Sequence, residues 1–242
     1  MLDAKEELSY DEAAAKIIVA LDCSEQEALS IAKSLKGKAQ WLKIGMTLYY
    51  AAGPAIVKKL KDMGFKLFLD LKLHDIPHQV RGAAQSVASL GVDIVSCHAL
   101  GGAEMIAAAK EGLSSSNKTA KLISITVLTS TDAQTLRSIG ICTQLEEQVD
   151  LLARLSAEVS DGIVCSPQEA ALMRKLLGDS ALIVTPGVRP HGDDLQDQSR
   201  VCTPAQAIER GASLLVIGRP ITQASDPRAK FDEIVNSIRG VG

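Results

Sequence analysis

The sequence predicts a single-domain α/β fold, a (β/α)8 or TIM barrel. Eight short β-rich runs alternate with eight longer amphipathic segments, and the chain of 242 residues has a length typical of one such domain. Several of the amphipathic segments also begin with residues that favour helix starts. A doubly wound open sheet is the alternative fold, although no G-x-G-x-x-G turn of the dinucleotide-binding kind follows the first run.

The predicted strands are short apolar runs bounded by turn residues. In chain order they are Ile17–Leu21, Gln40–Ile44, Lys66–Leu71, Ile94–His98, Leu122–Val127, Gly162–Cys165, Ala181–Thr185 and Leu214–Ile217. The predicted helices are the amphipathic segments between them, at residues 25–36, 54–63, 78–90, 102–112, 144–159, 167–177, 204–210 and 227–238. We expect residues 1–16 to form an N-terminal extension, with a helix across the barrel bottom, and residues 17–242 to form the barrel domain.

Charge, hydropathy and cysteine usage narrow the class of protein. The formal net charge is −3 and the basic residues are scattered, which disfavours a dedicated surface for nucleic acid or an anionic membrane. No apolar run reaches the roughly 18 residues of a membrane span, and the N-terminus lacks the apolar segment of a secretory signal. The five cysteines are widely spaced without a C-x-x-C pair, so we expect reduced thiols and a cytoplasmic protein.

The stretch LFLDLKLHDIPHQV at residues 67–80 is the most informative part of the chain. Side chains on a strand repeat every second residue, so Asp70 and Lys72 are predicted on the same face of the third strand. A charge in such a strand is costly to bury unless it is paired. Asp75 follows just past the strand end, where the chain turns at Ile76 and Pro77. The pattern indicates a preorganised electrostatic site, and a purely structural ion pair between strand and loop is the alternative.

The barrel prediction gives the polar residues a common location, because active sites in this fold form at the carboxyl ends of the strands. Polar residues and glycines recur at or just beyond those ends: Asp22, Lys43, Asp70, Lys72, His98, Thr129, Arg189, Gly218 and Arg219. Each has an ordinary alternative, such as a helix cap for Asp22 or a hydrogen-bonded structural histidine for His98. Their coincidence at one end of a barrel favours an active site.

The last strand and the loop before it suggest a phosphate site. Barrels often bind phosphate between the loops after the seventh and eighth strands, and Gly218 and Arg219 end the eighth. Glycine lets backbone N–H groups approach the oxygens, and arginine offers a two-pronged donor. The polar segment at 185–200 predicts a mobile loop over this site, with Arg189 and Gln198 as its ligand-touching members. A surface loop whose arginines pair with its own aspartates stays open as an alternative.

Seven short motifs then follow one another along the chain: ALD at 20–22, WLKIG at 41–45, DLKLHDIP at 70–77, HALGG at 98–102, VLTST at 127–131, VTPGVRP at 184–190 and VIGRPIT at 216–222. In this order and spacing they resemble the orotidine 5′-phosphate decarboxylase family from Ile17 onward, and the D-x-K-x-x-D-I-P element is highly specific. The resemblance implies conversion of orotidine 5′-phosphate to UMP and carbon dioxide, the last step of de novo pyrimidine synthesis. It also implies a homodimer with active sites at the subunit interface, and no metal or organic cofactor.

The resemblance also implies roles for the charged residues. Lys72 is expected to be the general acid that protonates C6 of the pyrimidine, and Asp70 to lie beside the substrate carboxylate. Lys43 is expected to bridge the ribose hydroxyls and the charge network, and Asp22 to hold the ribose. Asp75 is expected to reach into the partner's site and complete a Lys-Asp-Lys-Asp chain.

Further roles carry over to the substrate-binding residues. Thr129 resembles the pyrimidine-contacting residue after the fifth strand, and Ile76 and Pro77 belong to the substrate-binding stretch beside Asp75. The phosphate-binding and lid set corresponds to Arg189, Gln198, Gly218 and Arg219. The chain departs from the family pattern at Gln79, where a threonine is usual, and we expect its longer amide to make an analogous polar contact.

Two other functions remain open from the sequence. A phosphosugar enzyme of the same barrel superfamily would share the D-x-K-x-x-D core but use a divalent metal, and a chelator would then abolish its activity. The segment at 76–77 and the long loop at 185–200 argue against it. A non-catalytic barrel would be expected to have lost Lys72 or one of the aspartates, and all are present.

Overall fold

The computed structural model describes residues 7–190 and 202–240, and its strands close into a parallel barrel in chain order, with β8 paired to β1. The strands are β1 (Ile17–Ala20), β2 (Trp41–Gly45), β3 (Lys66–Leu73), β4 (Ile94–His98), β5 (Lys121–Ile125), β6 (Gly162–Val164), β7 (Leu182–Thr185) and β8 (Leu214–Ile217). The predicted barrel and the position of each strand are confirmed. The predicted strand ends differ from the observed ones by at most two residues.

Helices surround the barrel. They are α1 (Tyr10–Ala14), α2 (Glu25–Leu35), α3 (Met46–Ala52), α4 (Ala55–Asp62), α5 (Pro77–Ala88), α6 (Gly102–Ser116), α7 (Ala133–Ser138), α8 (Leu145–Ala157), α9 (Ala170–Leu177), α10 (Pro204–Glu209), α11 (Arg219–Thr222) and α12 (Pro227–Arg239). All predicted helices are present. Helices α3, α7 and α11 were not predicted, because they have four to seven residues and are too short to show a helical period.

The barrel wall separates two apolar layers. Side chains such as Ile18, Phe68 and Val216 form a cluster inside the barrel, whereas Ile17 and Leu69 belong to a larger cluster beneath the helices. This division follows from the two-residue repeat of a strand. Because both faces are covered, an inward polar side chain must be paired with another polar group or serve the site.

The pairing of β3 with β4 contains a bulge that shapes the site. Two pairs bracket it: Leu69 with Val95, and Leu73 with Cys97. Four steps along β3 therefore match two steps along β4. β3 thus has two extra residues. Because side chains on a strand alternate every second residue, they keep alternating between the two faces through the bulge. As a result, β3 directs two side chains inward over this stretch, those of Asp70 and Lys72. The matching stretch of β4 directs one inward, that of Ser96.

The opposite end of the barrel is held by a repeated hydrogen bond. A polar residue directly before each of β4, β6 and β8 accepts the N–H of a residue early in the preceding strand. The three bonds are Leu67 N to Asp93 Oδ2 at 2.7 Å, Leu122 N to Asp161 Oδ2 at 2.8 Å, and Ile183 N to Ser213 Oγ at 3.1 Å. The Asp161 carboxylate also pairs with Lys110 and Lys121. These bonds fasten the amino ends of neighbouring strands.

The Asp161 bond yields a stability prediction. Asp161→Ala leaves the N–H of Leu122 without its acceptor, and we expect the free energy of unfolding to fall by about 2 kcal/mol. Urea denaturation monitored by circular dichroism measures the change. Asp150→Ala is the matched control, since Asp150 forms an exposed i,i+4 pair with Arg154 and should contribute less than about 0.5 kcal/mol. Equal losses in the two variants would contradict the role of Asp161.

The chain segment before β1 forms α1, which packs against α12. Ser9 and Glu12 form a reciprocal capping box at its start, and Ala13 and Ala14 are buried. The N–H of Leu8 donates to the carbonyl of Arg239 at 2.9 Å, which joins the two ends of the described chain. None of the helices in the described ranges has both the length and the apolar character needed to cross a bilayer.

Candidate active site

A cavity of about 880 Å³ opens at the carboxyl ends of the strands. Many of the residues that the sequence analysis named line it: Asp22, Lys43, Asp70, Lys72, Thr129, Arg189, Gly218 and Arg219. Apolar side chains, among them Ile125, Val127 and Val216, form other parts of its wall. A pocket that combines apolar walls with a few convergent polar groups is the usual form of a small-molecule site.

Four side chains in this cavity form a row of alternating charge. Lys43 Nζ lies 2.9 Å from Asp22 Oδ1 and 3.5 Å from Asp70 Oδ2. Lys72 Nζ lies 2.7 Å from the same oxygen of Asp70. Asp70 and Lys43 are each only 7% exposed, whereas the Asp22 side chain is 57% exposed. The buried centre of the row is therefore fixed, and its Asp22 end opens to solvent.

The surroundings of Asp70 hold its carboxylate in the ionised state. Burial by itself raises a carboxyl pKa, but the charges of Lys43 and Lys72, together with hydrogen bonds from Lys72 and Ser96, lower the pKa of Asp70 below its ordinary value. Asp70 is therefore a fixed negative charge at neutral pH, in contact with two ammonium groups.

Lys72 has an unusual backbone conformation. Its φ is 54°, and within residues 7–190 and 202–240 no other non-glycine residue has a positive φ. The left-handed conformation costs such a residue about 1–2 kcal/mol, and it persists only where neighbouring structure enforces it. The bulge in β3 places Lys72 in this conformation, with its ammonium group beside Asp70.

Gly45, at the end of β2, leaves room for the contact between Asp22 and Lys43. A Cβ atom at this position would lie 2.6 Å from Asp22 Oδ1 and 2.9 Å from Lys43 Nζ. Both distances are shorter than any normal contact of a methyl group. The backbone of Gly45 is extended, so a Cβ here would act through these contacts alone, by displacing the ends of the Asp22 and Lys43 side chains.

A second group of lining residues comes from the loops after β7 and β8. Arg189 is buried, and its Nη1 donates to the carbonyl of Val188 at 3.0 Å. Gly218 directly precedes α11, which begins at Arg219. Two guanidinium groups and a glycine backbone thus border the cavity where the sequence predicts a phosphate site. Gln198 and most of the predicted mobile loop lie outside the described residues.

The segment after β3 points away from this cavity. Asp75, Ile76, Pro77 and Gln79 are exposed and contribute nothing to its lining, and the Ile76 side chain is 63% exposed. Asp75 Oδ1 accepts the N–H of Ile76 at 2.6 Å. Within this chain the structure therefore does not bring Asp75 together with Asp70 and Lys72.

His98 differs from the expected hydrogen-bonded structural histidine. Its Nδ1 is buried and has no hydrogen-bond partner in the described part of the chain, and its ring lies against His74 with centroids 5.3 Å apart. Burial, and then the charges of His74 and Lys72, lower the pKa of His98, so its imidazole is neutral at neutral pH. The described ranges contain no group of three or more His, Cys, Asp or Glu side chains arranged to hold a metal ion.

Sequence reasoning missed two residues that shape the site, Ser96 and Gly45. Ser96 Oγ lies 2.8 Å from Asp70 Oδ1 and 3.0 Å from the backbone N of Lys72. Its signal in the sequence was a polar residue at an inward position of β4, two residues before His98. The signal of Gly45 was a glycine that ends a strand two residues after an inward lysine.

Comparisons with known proteins find relatives that cover nearly the whole chain. The sequence model of the "Orotidine 5'-phosphate decarboxylase / HUMPS family" matches residues 15–234. A protein of Idiomarina loihiensis named orotidine 5′-phosphate decarboxylase is 49% identical over 225 residues, which cover 92% of this chain and 97% of that protein. One of Nitrosococcus oceani with the same name is 47% identical over 93% of this chain and 98% of its own length. The crystal structure of the decarboxylase from Lactobacillus acidophilus superposes with a TM-score of 0.83 at 39% identity, covering 93% of this chain and 99% of that one.

Proposed function

The chain belongs to the orotidine 5′-phosphate decarboxylase / HUMPS family, and we propose that it converts orotidine 5′-phosphate to UMP and carbon dioxide, the last step of de novo UMP synthesis. The observation that carries the proposal is the row Asp22, Lys43, Asp70 and Lys72, with Asp70 buried between two ammonium groups. The relatives described above are all named for the decarboxylase.

The chemistry explains why such a row is needed. Loss of carbon dioxide leaves an electron pair on C6 of the pyrimidine, where no adjacent π-acceptor delocalises it well. Preorganised positive charge stabilises this carbanion more than the substrate, because charge concentrates on C6 as the bond breaks. Lys72 serves as that positive charge and then transfers a proton from Nζ to C6. The breaking C–C bond supplies the electron pair that forms the new C–H bond.

Asp70 has two functions in this mechanism. It orients the ammonium group of Lys72 through the 2.7 Å contact, and it lies beside the substrate carboxylate. Two like charges 4 Å apart at an effective dielectric constant of 20 repel by about 4 kcal/mol. Departure of neutral carbon dioxide relieves part of this repulsion, which adds to the electrostatic stabilisation.

The remaining lining residues bind the rest of the substrate. Arg189, Gly218 and Arg219 bind the 5′-phosphate, supported by their position after β7 and β8 and by the geometric match between guanidinium and phosphate. Lys43 and Asp22 hold the ribose hydroxyls, and Thr129 contacts the pyrimidine. Gln198 joins the phosphate site from the loop at 185–200. Phosphate binding far from C6 supplies energy that organises the site.

The proposed active form is a homodimer. The partner subunit's Asp75 completes the Lys-Asp-Lys-Asp chain, and Ile76, Pro77 and Gln79 enter the partner's site with it. Large apolar side chains are exposed within three residues of the carboxyl ends of three consecutive strands, β2 to β4: Met46, Ile76 and Leu100. Exposed apolar groups concentrated on one side of a soluble protein mark an interaction surface. A second copy of the chain seated there would cover them and bring Asp75 to the opposite cavity.

The reaction proceeds without a metal or organic cofactor in this proposal, because Lys72 supplies both the positive charge and the proton. We further propose that the protein acts in the cytoplasm. The five cysteines carry free thiols, which suits a reducing compartment.

A spectrophotometric assay with orotidine 5′-phosphate tests the proposal. The purified protein is expected to convert the substrate to UMP at the same rate with and without a chelator. Loss of activity on adding the chelator would favour a metal-dependent relative of the same barrel superfamily. No conversion under either condition would overturn the decarboxylase assignment.

Gly45 provides a further prediction. Gly45→Ala pushes a methyl group between Asp22 and Lys43, and we expect kcat/KM to fall about a hundredfold, since a misplacement of about 1 Å has that effect in an organised site. Gly240→Ala is the matched control, because a Cβ there meets no atom within 4 Å and the position lies at the end of α12. Similar kcat/KM values in the two variants would rule out the steric role of Gly45.

A further inference from the structure

Ser96 lies opposite the bulge in β3. Between the two pairs that bracket the bulge, β3 turns two charged side chains inward and β4 turns only Ser96 inward. Ser96 is completely buried. Its hydroxyl therefore faces Asp70 and Lys72 from the neighbouring strand, without access to solvent.

The hydroxyl of Ser96 makes one bond to each of these residues. It donates to Asp70 Oδ1 at 2.8 Å and accepts the backbone N–H of Lys72 at 3.0 Å. A serine hydroxyl has a single proton, so donation to the carboxylate leaves only its lone pairs for the N–H of Lys72. Both bonds are satisfied together in one orientation of the hydroxyl.

Each bond fixes a different property of the row. The bond to Oδ1 occupies the carboxylate oxygen that does not face the lysines, so that Oδ2 points to Lys43 and Lys72. The bond to the backbone N–H holds Lys72, whose φ of 54° is a conformation that needs support from its neighbours. Loss of the hydroxyl would release both groups at once.

We propose that Ser96 is a positioning residue for the reaction, which fixes the direction of the Asp70 carboxylate and the backbone of Lys72 together. This inference rests on the proposed decarboxylase function. Ser96 acts through its two neighbours and does not line the cavity in the described structure. Its removal should therefore lower the rate of the chemical step and leave substrate binding nearly unchanged.

Steady-state kinetics of four variants test this role. Ser96→Ala is expected to lower kcat about tenfold to a hundredfold, the usual effect of a hydrogen bond to a charged group, with KM within about twofold of wild type. Ser96→Cys fills nearly the same space with a weak donor and should lose as much. Ser96→Thr keeps the hydroxyl and should stay within about fivefold of the wild-type kcat.

Ser124→Ala is the matched control. Ser124 is equally buried on the adjacent strand β5, but its hydroxyl lies 3.7 Å from the thiol of Cys97, in the layer beneath the helices. Its kcat should equal that of wild type. Thermal melts of all variants separate folding defects from rate effects, because a merely structural role would lower the melting temperature without separating kcat from KM.

The possible outcomes are distinct. A wild-type protein that leaves orotidine 5′-phosphate unchanged would overturn the proposed function and the role of Ser96 with it. An active wild type with an equally active Ser96→Ala variant would overturn the role of Ser96 alone. So would a loss in Ser96→Thr as large as that in Ser96→Ala, because the hydroxyl would then not be the group responsible.

Discussion

Lys72→Ala is expected to lower kcat for orotidine 5′-phosphate by at least about 10⁴-fold, since it removes both the proton donor and the positive charge beside C6. The ammonium group lies 2.7 Å from Asp70 and is directed to it by the bulge in β3. Lys43 contacts the same carboxylate oxygen at 3.5 Å but is fixed by Asp22 on its other side, so it cannot replace Lys72 at C6. Single-turnover measurement of UMP formation provides the sensitivity that this loss requires.

The conformation of Lys72 supplies a control for this experiment. Alanine retains the backbone strain at φ of 54°, whereas glycine adopts that φ without cost. Lys72→Gly should therefore be as inactive as Lys72→Ala, even though its backbone is relaxed. Lys58→Ala removes an ammonium group from an exposed i,i+4 pair on α4 and should leave kcat unchanged. Substantial turnover by either Lys72 variant would remove this residue from the acid role.

Asp75→Asn is expected to lower kcat at least about a hundredfold, by removing a charge from the partner's site. The second part of the prediction concerns mixing. When Asp75→Asn and Lys72→Ala chains are unfolded together and refolded in equal amounts, half of the dimers should be mixed. Each mixed dimer has one site built from an intact Lys72 and an intact partner Asp75. We expect the mixture to regain about a quarter of wild-type activity, because a twofold dimer pairs each site with one partner chain.

The control for the mixing experiment is a chain carrying both substitutions. Refolded with wild type in equal amounts, it forms mixed dimers in which each site lacks one of the two residues. Activity should then be about half of that obtained when the same amounts of the two proteins are refolded separately and combined. If the mixture of single variants stays inactive, or if the control mixture keeps its full activity, Asp75 acts within its own subunit or not at all.

Much of the fold and part of the candidate site could be predicted from the sequence. The strands were predictable because each is a short apolar run, and the inward pair in β3 because a strand repeats every second residue. The bulge was not predictable, since register depends on how β3 pairs with β4 and the composition of β3 alone does not reveal it. The contact of Ser96 with Asp70 could not be predicted for the same reason.

Asp75 and three short helices lay beyond what local sequence patterns could predict. That Asp75 acts in the site of a partner chain was expected from the resemblance and not from the residues themselves, and it stays a prediction. The three short helices were missed because local sequence preference is weak over four to seven residues. Of these, α11 carries Arg219, whose place beside the cavity was predicted from the strand before it.

Across the bulge β3 has two more residues than β4, and this even number determines which deletions the barrel wall can accept. Deleting one residue between Leu69 and Leu73 would turn every later side chain of that strand over, so that Leu73 would face the lumen and its partner layer would lose a leucine. Deleting a dipeptide would leave each remaining side chain on its own side and restore a regular ladder with β4. Between Leu69 and Leu73, insertion or deletion of two residues is therefore structurally tolerated, whereas insertion or deletion of one residue is disruptive.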